Sequence, residues 1–190
     1  MNVESAVNTA LANAHMTPDV GETPGRIHRN RSEAFVEALA AEFRAEYSSR
    51  VNVAVLSRHN ADNRHQLGLN EFLVDVAVCG IEFMPAGVAD RMLTYLTSNL
   101  WAVKSEFARD SRKAVFDFNK LVLSSAEQKL FVGSAVGDEA WYLGFLGHVA
   151  DFCTGSVFAA LVPHPEEWGA GAHPTCRVWT RAQRRWVPVS

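Results

Sequence analysis

The sequence is short of lysine and cysteine and has no long apolar run, and each shortage narrows the field. No apolar stretch approaches the roughly 20 residues that cross a bilayer as a helix. The three cysteines, Cys79, Cys153 and Cys176, lie far apart and form no CxxC pair. That argues against a disulfide framework and against a thiolate zinc site. Cys79 closes an apolar, strand-like run, which reads as packing. No GxxxxGK[ST], GxGxxG or GxSxG is present, so neither a nucleotide-phosphate loop nor a hydrolase elbow is expected. The first residues carry Glu4 and lack the apolar block of a signal peptide, which leads to the expectation of a cytoplasmic protein.

What remains is ordinary for a globular chain. Of 190 residues, 48% are hydrophobic and 21% charged, enough to bury a core in one domain. We expect an N-terminal extension over residues 1–30 and a single α/β domain over 31–190, ending in a hairpin. The net charge of −3 does not mark a nucleic-acid binder, but the cations are unevenly placed. Arg26, His28, Arg29 and Arg31 cluster near the start and Arg177, Arg181, Arg184 and Arg185 near the end. The only lysines, Lys104, Lys113, Lys120 and Lys129, share one central stretch.

Periodicity orders the elements. A short helix fits Val3 to Ala14. Asn30 and Glu33 form a capping-box-like start for a helix to about Tyr47, whose Phe35, Val36, Leu39, Ala40 and Phe43 recur at helical spacing. Strands are expected at Val51–Ser57 and Asn70–Cys79, and a helix at Ala86–Leu100. WAVKSEF, Trp101 to Phe107, alternates as a strand. Ser111 then caps a helix to about Ser124, followed by a strand at Lys129–Ala135 and a helix at Glu139–Phe152. A continuous apolar strand fits Ser156–Val162, and a hairpin turns around Arg181 to Gln183. Strands in direct succession favour an antiparallel meander, and strand–helix–strand pieces favour parallel pairing. The expected fold is a mixed β-sheet flanked by helices.

The chemistry concentrates on two successive strands that carry acids on their less apolar face. A carboxylate inside LVDVAV is expensive to bury unless it is paired or bound to metal. Alternation puts Glu71 and Asp75 on one face of the first strand, and Lys104 and Glu106 together on the second. Asp75 and Glu106, with Glu71 assisting, form the oxygen cluster that Mg²⁺ or Mn²⁺ prefers. A lysine there orients water or stabilises charge on a phosphate. The same four residues also fit a solvated sheet edge paired across strands. His164, His173 and Cys176 lack a tight ligand spacing and read as a Pro/Gly loop. The C-terminal arginines, interleaved with Trp179 and Trp186, fit a backbone grip with base stacking, a solvated hairpin or a homodimer surface equally well.

The order helix, strand, strand with Asp75, strand with Lys104 and Glu106, helix, strand resembles the restriction-endonuclease-like core of the PD-(D/E)xK nucleases over Ser32 to Val136. WAVKSEFARDSRKAVFDFNKLV also resembles a bacterial group of that superfamily with a divergent motif, in which a DFxKL-type helix follows the third strand. The resemblance implies a metal-dependent nuclease acting on DNA or, second, RNA. It implies Asp75 and Glu106 as catalytic metal ligands, Lys104 or Lys120 as the water-positioning lysine, and Glu37 as a helical accessory acid. The sequence departs from the pattern in one respect: Lys104 precedes the acid, and Ala108 stands where a lysine is usual. The alternative is a nuclease-like fold that has lost catalysis and serves as a binding or assembly module.

Overall fold

The computed structural model describes residues 1–16, 23–60, 63, 72–87, 92–169, 171 and 173–189. Helix α1 (Val3–His15) starts where the Asn2 side chain accepts a hydrogen bond from the Ser5 amide. Helix α2 runs Pro24–Glu46, with Thr23 as N-cap and proline in its first turn. The helix therefore begins a turn and a half before Asn30, and the expected capping box lies inside it. Strands β1 (Val53–Ser57), β2 (Val76–Pro85) and β3 (Met92–Glu106) follow. Then come α3 (Ser111–Val122), β4 (Gln128–Ser134), α4 (Glu139–Ala150), β5 (Ser156–Val162), a 3₁₀ turn (Pro165–Glu167), β6 (Thr175–Thr180) and β7 (Arg185–Pro188).

The seven strands form one sheet in chain order. β1, β2 and β3 make an antiparallel meander, β4 and β5 join parallel, and β6 and β7 return antiparallel. The two parallel steps are those with a helix between the strands, since a parallel pair needs a crossover. Alternation along each strand sends side chains to two apolar layers. Trp101 and Val103 of β3 join Val76, Leu130 and Val132 under α1 and α2. Ala102 lies under α3 and α4 with Phe131, Ala159 and Leu161. The Trp101 ring meets Phe43 edge-on at 5.3 Å and donates its indole N–H to the Tyr47 hydroxyl. Tryptophan is thus buried with its polar atom satisfied. Helix α1 contributes Val7, Ala10 and Leu11 to the same core as the sheet.

Two further local expectations are corrected. The helix expected over Ala86–Leu100 is not formed: from Met92 onward the chain is β3, which pairs with β2 as far out as Pro85↔Met92. Met92, Leu93, Leu96 and Leu100 have helical spacing, but Thr94, Tyr95 and Thr97 favour a strand. Cross-strand contacts decide the matter, among them Tyr95 Oη donating to Glu82 across 2.6 Å. Gly80 permits the close approach, because a Cβ there would stand 2.4 Å from Ser98 Oγ. The cap of α3 is Asp110 rather than Ser111, its carboxylate accepting from the Arg112 and Lys113 amides.

Candidate functional site

The cleft lies at the C-terminal end of β3, where that strand stops being paired on both sides and α3 begins. Asp75 sits one residue ahead of β2 and continues its ladder, its amide donating to the Val103 carbonyl at 2.9 Å. That register sets the Asp75 side chain beside Lys104. Lys104 Nζ donates to Asp75 Oδ1 at 2.7 Å. Ser105 donates twice to Asp75 Oδ2, from its amide at 2.7 Å and its hydroxyl at 2.8 Å. Both charged side chains are withdrawn from water, Asp75 and Lys104 each 5% exposed. Such burial is tolerable only because the pair is charge-complementary and every strong acceptor is used.

Asp117 reaches the same point from α3. Its Oδ1 is 3.7 Å from Lys104 Nζ and 2.5 Å from Lys120 Nζ. Two carboxylates from two elements therefore converge on the Lys104 ammonium, a cation between two oxygen donors. Asp117 is electrostatically coupled to Glu106, whose Oε1 accepts from the Ala108 amide at 2.7 Å. Burial and then the shared contact with Asp117 hold the Glu106 carboxyl above the ordinary carboxylate range, against the pull of the Ala108 amide and Lys113. The Tyr142 hydroxyl, pushed up to about 12 chiefly by burial, feels the Glu106 charge.

Asp75, Lys104, Glu106 and Lys120 are thus brought into one network, though the path from Asp75 to Glu106 runs through Lys104 and Asp117. Glu71 lies outside the described residues. Glu37 is paired with Arg44 at 3.7 Å, and the acid of α2 that lines the cleft is Glu33, one turn earlier. Asp117 is the residue that sequence reasoning missed. Its signal was present: Ala114, Asp117, Phe118 and Leu121 share the buried face of an amphipathic helix, and an acid on that face needs a partner.

The network floors a cleft of about 910 Å³ whose rim carries Arg29, Arg58, Arg112 and Lys113 with His28 and His59. Arg58 approaches the buried acid to 3.9 Å of Asp75 Oδ1. The C-terminal hairpin is occupied differently. Trp179 and Trp186 form a cross-strand pair, their indole N–H groups held by Asp151 and the Leu143 carbonyl. Arg184 pairs with Asp151, and Arg181 donates to the Cys153 carbonyl. The three cysteines are buried free thiols pushed up to about 11 by burial.

Among the described residues, no three His, Cys, Asp or Glu side chains converge as a preformed metal cage. The two carboxylates already share one cation, the Lys104 ammonium, so Mg²⁺, which prefers oxygen donors and water, would take that place only by displacing it. Among the same residues, no helix is long and apolar enough to cross a membrane. Fold and site define an α/β protein with a mixed seven-stranded sheet, helices on both faces and a buried acid–lysine network open to a cation-rimmed cleft. No family model, no curated protein and no solved structure matches the chain.

Proposed function

We propose that the chain is a metal-dependent phosphodiesterase acting on nucleic acid, DNA before RNA, built on a restriction-endonuclease-like sheet. One observation carries the reading: Asp75 just ahead of β2, Lys104 of β3 and Asp117 of α3 meet at the floor of a cleft rimmed by arginine and lysine. The order α2, β1, β2, β3, α3, β4 supports it, being the order of elements on which the resemblance rests.

Asp75 and Asp117 would hold Mg²⁺ or Mn²⁺, with Glu106 behind Asp117. The ion would supply charge neutralisation at a phosphate and a water of lowered pKa. The residues of the chain do the rest. Arg58, Arg112 and Lys113 bind backbone phosphates, a contact that weakens as salt rises. Lys104 and Lys120 stand where negative charge develops and hold the two acids apart from bulk water. A cytoplasmic location goes with this reading, and a homodimer is compatible with it.

The test is cleavage of end-labelled DNA in Mg²⁺, Mn²⁺ and EDTA by the wild type, Asp75→Asn and Asp117→Asn. Cleavage is expected only with metal and is lost in both variants, which keep the wild-type circular dichroism spectrum. Undiminished cleavage in EDTA, or by Asp75→Asn, would sink the proposal.

A second reading has its own observation. Lys104 neutralises Asp75 and Asp117 without any ion, which suits a nuclease-like fold kept as a binding or assembly module. It requires that Mg²⁺ leave the melting temperature unchanged, whereas a bound ion raises it by mass action.

A further inference from the structure

We infer that the cleft takes a single-stranded stretch of nucleic acid, with Phe116 as the platform on which an unpaired base stacks; this rests on the nucleic-acid reading above. Helix α3 buries Ala114, Phe118 and Leu121 against the sheet, yet leaves Phe116 67% exposed at the cleft. Exposed apolar side chains are common on this chain, Phe152 and Leu123 among them, so it is the setting of Phe116 that carries the inference. Its surroundings are specific. Arg112, Lys113, Phe116 and Lys120 follow at i, i+1, i+4 and i+8, one stripe of the helix, and all four line the cleft. The Lys120 ammonium stands 5.0 Å from the Phe116 ring centroid while reaching Asp117 at 2.5 Å. The ring is thereby held beside the acid–lysine network. An aromatic face interleaved with cations along a groove is how unpaired strands are gripped, by stacking together with backbone charge.

The groove continues past the network. A second basin of about 490 Å³ shares Arg58, Asp75, Lys104 and Lys120 with the first and adds Phe72 and Leu73, the latter 63% exposed. Each cavity thus adds an exposed apolar side chain to the shared network, Phe116 in the first and Leu73 in the second. A strand crossing it would lay its backbone over Arg58 and Lys120 and its bases on these two apolar side chains.

Charge alone does not call for a duplex. The cleft that carries the cations is also lined by Glu33, Asp75, Glu106, Asp110 and Asp117. Duplex DNA brings one negative charge per about 1.7 Å of axis, a single strand roughly half that density. A wall of mixed sign suits the lower density, with stacking supplying what electrostatics does not.

The experiment is fluorescence anisotropy with the full chain in EDTA, which silences cleavage. It compares one labelled oligodeoxynucleotide, as a single strand and annealed to its complement, across a salt series. The single strand is expected to bind more tightly. Phe116→Ala should weaken it about fivefold or more without changing the salt slope, and Phe116→Trp should restore it. Duplex binding as tight as single-strand binding, or an unaffected Phe116→Ala, overturns the inference while leaving the nuclease reading intact. Binding of neither form overturns the inference, and the nuclease reading then stands or falls on the cleavage assay. A change in sedimentation-derived mass in Phe116→Ala, with nucleic-acid affinity unaltered, assigns the ring to a protein interface and overturns the inference as well.

Discussion

Lys104 donates to Asp75 across 2.7 Å with both side chains almost wholly withdrawn from water, and the 3.7 Å approach of Asp117 makes the ammonium a shared counter-ion. One cation thus ties β2, β3 and α3 together at the point where the cleft opens. The relationship is a packing device as much as a chemical one, since each partner left alone would be a buried, uncompensated charge.

Lys104→Ala removes that counter-ion and leaves two carboxylates facing each other. Urea unfolding in EDTA should show a loss of about 3–5 kcal/mol, the usual consequence of stranding one side of a buried pair. Mg²⁺ should return part of it, because the vacated place lies between two hard oxygen donors. Equal instability with and without Mg²⁺ would mean that the acids do not share an ion.

Acidification should weaken the fold through His164. Its imidazole accepts from the Glu166 amide and lies 5.0 Å from the His28 ring, centroid to centroid. Burial first, and then the His28 and Arg109 charges, hold it below its ordinary 6.5, with Glu166 and Glu167 pulling the other way. A depressed folded value means the unfolded chain binds the proton more readily. The group's contribution is therefore intact above 6.5 and is lost as pH falls through its folded value. His164→Asn, which keeps an acceptor for the Glu166 amide, should flatten the fall in denaturation midpoint between about pH 7 and pH 5. Parallel pH profiles for variant and wild type would refute this account.

Gly155 admits no side chain. Its φ is +69°, and a Cβ would stand 2.1 Å from the Glu127 carbonyl oxygen, a backbone atom with no rotamer to escape into. Gly155→Ala should cost about 3 kcal/mol or more in a chemical denaturation curve. The position sits just before β5, where Ser156 N bonds the same Glu127 carbonyl, so the damage should fall on the β4–β5 pairing.

Much of the frame was legible along the chain. The runs at 53–57, 101–107 and 156–162 alternate or stay apolar as strands do, and α2 and α3 show helical spacing; these patterns depend only on neighbours a few residues away. The buried pair of Asp75 with a residue of the next strand was foreseeable for the same reason: an acid amid valines must find a partner. The outer part of β3 was not, because Met92 to Leu100 satisfies helical spacing and becomes a strand only through its pairing with Cys79–Pro85. Lysine position was no guide to use. Lys129 shares the central stretch with Lys104 yet is fully buried, its ammonium spent on the Ala126 and Thr154 carbonyls and the Thr154 hydroxyl.

The sequence by itself determined a mixed sheet between helices and the acids and lysines from which a site would be drawn, since periodicity and burial cost are local properties. Only the tertiary structure decided which of them meet. Register between β2 and β3 set Asp75 against Lys104, and the packing of α3 on the sheet brought in Asp117 and turned Glu106 toward it. Charges act over a few ångströms in space, and nothing in their spacing along the chain records that distance.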